Sequence, residues 1–466
     1  MLLDLILIYF TVVLGCFLST VALILTGKSW NKLPFIYLQL IRKLQNLFPP
    51  NYPKDVAGEA WPSIIHRDEK DRLVKPTTSL PPRFEFTSDT AGPWAMAGDA
   101  IRSGVESIIQ DDFSSAFDHA PSYAESLLRF RALDSWNIPQ KVLFYVTLSF
   151  RIFFLFPVRL SLFIFSFVFV AVCALLTMVK DLSERERRWV SILYCRIFSA
   201  SLGVVATYDK KENAPRRPGL VVANHITPND VQIIWAGADH ENSDGYIVTG
   251  QKHKGIIGSL EMLTSRICPS LWLERASAQE RTDFLNGVLT LAKTSGPILL
   301  FPEGYCSNNS QVLQFRKAAF VEGIDIYPVA MKQDGRFSDA YWFEDQFYMY
   351  LLRLMMSWAT VYDVTYLEKT CKYEDEDSTT FAARVQSSIA YEISKPVGQF
   401  DGGFWYKKSE QEKLKNSQQE KCASSMLKHL ENVAPKESCR KSSTASSKSF
   451  LLVDLDLENI PTILAH

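Results

Sequence analysis

Paired cysteines and a strong charge of one sign are both missing from this sequence. Its eight cysteines are scattered without a C-x-x-C pair, so they match neither a zinc site nor a compact disulfide framework and indicate free thiols. The histidines lack the spacing of metal ligands, and we expect no bound metal. Acidic and basic residues nearly balance, for a formal net charge of -1. This balance gives no electrostatic reason to expect nucleic acid as a partner.

Long apolar runs are concentrated in two regions, the first of which covers residues 5–25. At roughly 1.5 Å per residue, this run is long enough to cross a hydrocarbon core of about 30 Å. A cleaved signal peptide is the alternative, but Asp4 precedes the run and no small-residue cleavage site follows it. Basic residues follow closely, at Lys28, Lys32, Arg42 and Lys43. The positive-inside rule therefore predicts a membrane anchor over residues 1–27, with a cytosolic linker and N-terminal region over residues 28–140.

The second apolar region covers residues 142–179 and is interrupted by Arg151, Pro157 and Arg159. Proline does not continue a regular helix, and an arginine is costly at the middle of a bilayer. These residues therefore predict a bend near Pro157, which gives a membrane hairpin over residues 141–180. The hairpin dips into the bilayer or crosses it twice. A buried helix pair in a soluble core is the alternative, although the uncharged stretch is longer than such a helix needs.

From residue 188 to residue 400, short β-branched runs alternate with longer amphipathic segments, which is typical of an α/β domain. We expect a mixed sheet flanked by helices. The candidate strands are residues 219–223, 246–249, 271–273, 298–301, 324–331 and 360–366, and the candidate helices include residues 279–294 and 342–358. The Lys/Glu/Ser-rich segment that follows predicts a disordered tail over residues 407–466.

The most informative stretch ends an apolar strand at His225 and places Asp230 five residues later. On a continuous helix these side chains would point about 140° apart, at roughly 100° per residue. Pro228 favours a turn between them, so the carboxylate can fold back onto the imidazole. Such a pair makes a general base, because the carboxylate fixes the tautomer and stabilises the imidazolium. The alternative is structural, with Thr227 as the N-cap of a helix and Asp230 completing a capping box.

Other polar residues follow neighbouring apolar strands. Glu303 and Gly304 come directly after one strand, and the Arg316-Lys317 pair lies in the loop beyond them. Arg275 follows another strand. Open α/β sheets bind ligands at the carboxyl edge of their strands, and Arg and Lys at that edge suit a phosphate. Each of these residues is also compatible with an ordinary turn or a solvated surface charge.

Together these blocks resemble the glycerophosphate and lysophospholipid acyltransferase superfamily. Its four motifs are a His-x4-Asp box, an Arg-bearing strand end, a Phe-Pro-Glu-Gly box and a late Pro-centred strand. They correspond in order to residues 224–230, 272–275, 301–306 and 326–332. Residues 104–109, 306–309, 338–342 and 350–358 are most similar to the eukaryotic microsomal glycerol-3-phosphate acyltransferases.

The resemblance implies an acyltransferase that transfers the acyl group of acyl-CoA, as co-substrate, to glycerol 3-phosphate. The products would be lysophosphatidic acid and CoA, and no bound cofactor would be needed. It implies that His225 and Asp230 are catalytic and that the substrate is bound by Arg275, Glu303, Gly304, Arg316 and Lys317. It also implies the endoplasmic reticulum membrane, with lipid droplets as a second location and membrane lipids as partners. Two alternatives stay open: an enzyme that acylates lysophosphatidic acid, and an inactive membrane-anchored scaffold.

Overall fold

The structure is a computed structural model, and it describes residues 2–46, 65–67, 84–86, 112–117, 138–216, 218–239, 245–252, 255–273 and 278–417. Its helices are α1 (Leu2–Leu25), α2 (Leu33–Asn46), α3 (Asp112–Phe117), α4 (Ile138–Phe150), α5 (Phe156–Leu176), α6 (Glu184–Ser201), α7 (Asp230–Ala236), α8 (Gly255–Ser265), α9 (Ala278–Thr294), α10 (Phe347–Met356) and α11 (Ser378–Glu392). Its strands are β1 (Ile65–Arg67), β2 (Phe84–Phe86), β3 (Val204–Asp209), β4 (Gly219–Ala223), β5 (Ile247–Gln251), β6 (Ser270–Leu273), β7 (Pro297–Leu300), β8 (Ile326–Asp334) and β9 (Thr360–Tyr366).

The first helix, α1, is apolar apart from Asp4 in its first turn and a few small or hydroxyl side chains, and it is long enough to cross a membrane. Its end is sharp, because Gly27 adopts a left-handed conformation (φ 68°) and the Lys28 N–H donates to the Leu23 carbonyl. This is the hydrogen bond of a Schellman C-cap. α1 packs against α5, where the ring of Phe17 meets the ring of Phe165 edge-on.

The second apolar region is a long helix, and the predicted hairpin with a bend at Pro157 is wrong. Helical structure continues from Ile138 to Leu176, with a π-helical turn at Arg151–Leu155 between α4 and α5. Pro157 lies in the first turn of α5. The wide turn before it accommodates the proline, which lacks an N–H to donate.

The two arginines of this region are buried within the protein, which removes the other reason for a bend. Arg159 is 8% exposed, and its guanidinium donates to the carbonyls of Met355, Ser357 and Trp358 at 2.6–2.9 Å. Arg151 is 4% exposed and donates to the Met356 carbonyl. Both charges therefore lie against the carboxyl end of α10, where the helix dipole favours a cation.

The predicted mixed sheet is confirmed, with strand order β3-β9-β8-β4-β7-β5-β6. The strands from β8 to β6 are parallel to one another, whereas β9 pairs with β8 in the antiparallel sense and β3 is parallel to β9. Each expected strand is present with its ends shifted by at most three residues. Strand β3, which precedes them, was missed.

The sheet is buried on both faces, as parallel strands usually are. Within β4, Val221 and Ala223 face a cluster formed with α6 and α7, whereas Leu220 and Val222 face a cluster formed with α9 and α11. All of β4 is buried. The loop that follows this central strand therefore begins at a fixed position at the sheet edge.

Two boundaries differ from the sequence prediction. The helix expected over residues 342–358 is restricted to α10, because Arg353 donates to the Tyr341 carbonyl and holds the preceding segment as a loop. The predicted disordered tail starts too early, since residues 408–417 are helical. Gln411 donates to the Phe404 and Trp405 carbonyls and fixes the start of this helix. Residues 418–466 lie outside the described residues.

Candidate active site

The histidine of the first motif lies in the loop between β4 and α7. His225 Nδ1 is 3.0 Å from Asp230 Oδ2, so the turn predicted from Pro228 does bring the two side chains together. The same oxygen accepts the backbone N–H groups of Ile226 (2.6 Å) and Thr227 (3.0 Å). Asp230 is fully buried. One carboxylate oxygen therefore fixes both the imidazole and the loop that carries it.

The capping alternative describes part of this geometry. Asp230 does accept the Thr227 N–H, as in a capping box, but α7 begins at Asp230 with Asn229 as its N-cap. Thr227 Oγ1 instead accepts the Asn229 N–H. The structural and catalytic interpretations thus describe the same carboxylate.

Glu303 holds the backbone of His225 from the neighbouring strand end. Its Oε1 accepts the His225 N–H at 2.7 Å, and its Oε2 accepts the Leu313 N–H at 2.9 Å. The Ser307 N–H donates to the His225 carbonyl at 2.9 Å. Because Glu303 is fully buried and both its oxygens accept backbone N–H groups, its visible contacts position the histidine. Its predicted role in substrate binding stays a prediction.

The environment shifts the pKa of both groups. Burial lowers the pKa of His225, but the Cys306 and Asp230 side chains act in the opposite direction and hold it well above the ordinary value of 6.5. Burial raises the pKa of the Glu303 carboxyl to about 8, against the two N–H donors that lower it. The imidazolium that forms on proton transfer is thus stabilised, mainly by its immediate neighbours.

His225 is partly accessible, with 18% of its side chain exposed. Its ring stacks on Phe301, with 4.2 Å between ring centroids, and it faces a cavity of about 1140 Å³. Aromatic side chains supply much of the cavity wall, among them Phe167, Phe198, Trp235, Trp272 and Phe301. Since Phe167 belongs to α5, the cavity extends from the imidazole to an apolar helix long enough to cross a membrane.

Two arginines among the described residues line this cavity, Arg281 and Arg316. Arg316 Nε donates to Asp401 at 2.8 Å, and its guanidinium lies against Gly304. A Cβ at Gly304 would be 2.6 Å from Arg316 Cζ, and the backbone there has φ +73°. Gly304 is therefore required both for the turn and for the close approach of the arginine.

The other predicted cations have different outcomes. Lys317 begins a 3-10 turn and is not among the cavity-lining residues. Arg275 lies outside the described residues. Arg281, in the first turns of α9, was not singled out from the sequence. It lies six residues after Arg275 in the sequence, and no strand directly precedes it to mark it.

A further missed residue is Tyr350 of α10, which is fully buried. Its hydroxyl is 2.7 Å from Thr227 Oγ1, accepts a hydrogen bond from Asn229 Nδ2 at 2.9 Å and donates to the Ala340 carbonyl at 3.2 Å. Because the tyrosine proton goes to Ala340, Thr227 is the donor of the first bond. Helix α10 therefore holds the loop that carries His225, from more than a hundred residues away in sequence.

Among the described residues, no group of three or more His, Cys, Asp or Glu side chains is arranged to hold a metal ion. Cys306 also lines the cavity and interacts with the His225 side chain. The cavity wall thus carries His225, which pairs with Asp230, the Cys306 thiol and two arginines, besides Glu261 and several amide and hydroxyl side chains.

Comparison with known proteins agrees with this site. A family model described as Acyltransferase matches residues 205–332, which include the loops of His225 and Glu303. The chain is 35% identical over 319 residues to glycerol-3-phosphate acyltransferase 3-like of Danio rerio, covering 65% of this chain and 69% of the relative. It is 33% identical over 353 residues to glycerol-3-phosphate acyltransferase 4 of Homo sapiens, covering 70% and 72%.

Among solved structures, the 1-acyl-sn-glycerophosphate acyltransferase PlsC from Thermotoga maritima covers 51% of this chain and 96% of its own, with 16% identity and a TM-score of 0.36. The sequence relatives are much closer and extend well beyond the loops that bear the motifs. The chain belongs to the glycerol-3-phosphate acyltransferase family.

Proposed function

We propose that this protein transfers the acyl group of acyl-CoA to a hydroxyl of glycerol 3-phosphate, forming lysophosphatidic acid and CoA. The observation that supports this most directly is the His225–Asp230 pair at the wall of a large, mainly apolar cavity. The named activity of its relatives supports the same reaction. It is the first step of phospholipid and triacylglycerol synthesis.

His225 acts as the general base in this proposal. Asp230 accepts a hydrogen bond from the Nδ1–H of His225, so that Nε2 carries no proton and can remove one from the substrate hydroxyl. The oxygen then forms a bond to the thioester carbonyl carbon, and the carbon–sulfur bond breaks. The imidazolium returns its proton to the departing sulfur, so CoA leaves as the thiol. No bound cofactor takes part.

Arginines hold the phosphate of the acceptor. Arg281 and Arg316 line the cavity, and a guanidinium offers a planar pair of donors to phosphate oxygens. Arg275 and Lys317 are further candidates from the sequence. The acyl chain occupies the apolar part of the cavity that reaches α5, so it need not leave an apolar environment during the reaction.

The protein is membrane-associated, and we place it in the endoplasmic reticulum, and at lipid droplets, with its catalytic domain in the cytosol. The basic residues that follow α1 support this orientation. Protease added to sealed microsomes should digest the catalytic domain. Protection of that domain would contradict the orientation without affecting the proposed chemistry.

The test is acyl transfer by microsomes that contain the chain, with labelled glycerol 3-phosphate and acyl-CoA, beside a His225→Ala variant of equal abundance. Lysophosphatidic acid formed by the intact protein alone supports the acceptor and the base. Product formed only when lysophosphatidic acid is supplied would assign the chain to the next acylation. No turnover with either acceptor would favour the scaffold alternative.

Cys306 provides a test of the direct-transfer mechanism. Because it lies beside His225, a covalent route through an acyl-cysteine is the chemical alternative. Cys306→Ala should retain turnover if His225 acts directly on the acceptor hydroxyl. A trapped acyl-enzyme, lost in this variant, would overturn direct transfer.

A further inference from the structure

We propose that α2 lies in the membrane–water interface, with Leu33, Ile36 and Leu40 in lipid, as a membrane contact separate from the long apolar helices. The partner is the bilayer surface that α1 leaves. This inference concerns how the catalytic domain sits on the membrane and does not depend on the proposed acyl transfer.

The position of α2 in the chain favours this placement. It begins shortly after the sharp C-cap of α1 at Gly27. The connecting residues include Trp30, which is 40% exposed, and the basic residues Lys28 and Lys32. Tryptophan and lysine at the end of a membrane helix are typical of the headgroup region. Helix α2 therefore starts at the bilayer surface if α1 crosses the bilayer.

One face of α2 is fixed against the catalytic domain, which sets the rotation of the helix. Leu38 and Ile41 are 6% and 2% exposed and pack with Phe337 and Trp358. Gln45 Nε2 donates to the Arg336 carbonyl at 2.8 Å. The helix is therefore not free to turn its opposite face inward.

The opposite face carries an apolar stripe. Leu33, Ile36 and Leu40 are 53%, 58% and 56% exposed. They are three and four residues apart, which places them within about 60° of arc at roughly 100° per residue. Leucine and isoleucine repeated in this way on an exposed helix face form the apolar side of an interfacial helix.

A basic residue, Lys43, borders the stripe on the side away from the protein. Lys43 is exposed and lies on the helix surface about 20° from Ile36, at roughly 100° per residue. Arg42 lies farther round and pairs with Asp334 at 3.3 Å. Cations beside an apolar stripe suit anionic headgroups above acyl chains. A protein partner would not require a cation beside the apolar stripe. A bilayer surface favours this combination, and α2 meets that surface directly after α1.

The experiment compares the amount of lipid crosslinked at three positions of the full-length protein by site-specific photocrosslinking. The protein is reconstituted in bilayers of labelled phosphatidylcholine and phosphatidylserine. Ile36 is replaced by the photocrosslinking amino acid benzoylphenylalanine. Tyr391 on α11, an aromatic residue with 71% exposure, receives the same replacement as the matched control. Leu14 in α1, with 54% exposure, provides the scale for full contact with lipid. All three positions are exposed, so the replacements should not disturb the core.

We expect lipid label at Ile36 at least about fivefold above that at Tyr391 and of the same order as that at Leu14, because an interfacial helix buries its apolar face at the acyl boundary. Equal, low labelling at Ile36 and Tyr391 would overturn the proposal. So would a crosslink from Ile36 to protein: a dimer band would identify a second copy of the chain, and a shifted monomer band would identify another segment of the same chain.

Discussion

Replacing Tyr350 by Phe should lower turnover without touching the cavity wall or the reacting groups. The substitution removes one buried hydroxyl that binds Thr227, Asn229 and the Ala340 carbonyl. Thr227 and Asn229 belong to the loop between His225 and Asp230, so the loop loses its anchor on α10. The chemistry of the dyad itself is unchanged.

The magnitude follows from the partners that lose the hydroxyl. A typical hydrogen bond contributes about 1 kcal/mol net, and a buried polar group left without a partner costs about 1–3 kcal/mol. Since Tyr350 is fully buried, we expect the free energy of unfolding to fall by about 2–3 kcal/mol. If about 1.4 kcal/mol of this is lost from the positioning of His225 in the transition state, kcat falls about tenfold.

Tyr362 offers the matched control. It is 1% exposed, and among the described residues its hydroxyl has no hydrogen-bond partner. Tyr362→Phe makes the same chemical change at another buried tyrosine, in a different apolar cluster, without removing such a bond. We expect its kcat to equal that of the intact protein.

The assay measures kcat and KM for glycerol 3-phosphate together with thermal unfolding, for purified protein in bilayers. If Tyr350 positions His225, the variant should have a lower kcat even at temperatures at which it is fully folded. Its KM for glycerol 3-phosphate should change little. The reasoning is refuted if Tyr350→Phe unfolds at a lower temperature but keeps the kcat of Tyr362→Phe, because the network would then only stabilise the fold.

Three further predictions concern the site. Because His225 must be neutral to accept a proton and its pKa is raised above 6.5, kcat/KM should rise with pH through a midpoint above that value; Asp230→Asn should move the midpoint down and lower kcat. Glu303→Gln places an amide N–H against one of two backbone N–H donors, so we expect kcat and thermal stability to fall with an unchanged KM for glycerol 3-phosphate. Arg281→Ala and Arg316→Ala should each raise that KM, by roughly 10-fold or more for a lost charge-assisted bond, with kcat within a few-fold.

Each of these predictions has an opposite outcome. A pH midpoint at or below 6.5 would mean that the neighbours of His225 do not raise its pKa in the working enzyme. A higher KM with unchanged kcat in Glu303→Gln would assign Glu303 to substrate binding, as the sequence predicted. An unchanged KM in both arginine variants would assign phosphate binding to Arg275 and Lys317. Lys369→Ala controls for a general loss of positive charge, because this lysine is exposed and lies away from the cavity lining.

The sequence predicted the central strands and the histidine–aspartate contact because both depend on local signals. β4 is an uninterrupted apolar run, and Pro228 restricts the turn after it. Strand β3 is also rich in β-branched residues, but it was missed because it follows α6 almost directly. Only Leu202 and Gly203 separate the two elements, so no longer turn marks the start of the strand. The hairpin prediction failed because the partners of Arg159 are far away in sequence, so the local pattern showed only an arginine without a partner in an apolar run.

The remaining site residues were missed for the same physical reason. Tyr350 lies in an apolar helix where an aromatic residue is most simply explained as core packing, and nothing local indicates that its hydroxyl reaches Thr227. Glu303 was recognised as a strand-end carboxylate, but its two N–H donors come from separate loops. Such long-range pairings follow from the order of the strands, which β-branched patterns alone do not determine.

The burial of Arg159 has a consequence for how the chain is made. Its carbonyl partner at Met355 is separated from it by 196 residues, and at roughly 5–20 residues per second a ribosome needs about 10–40 s to synthesise that distance. During that interval α5 has emerged but the end of α10 does not yet exist. The guanidinium of Arg159 therefore cannot reach its carbonyl partners until the end of α10 has been synthesised. Burial of this charge on α5 thus depends on completion of the catalytic domain.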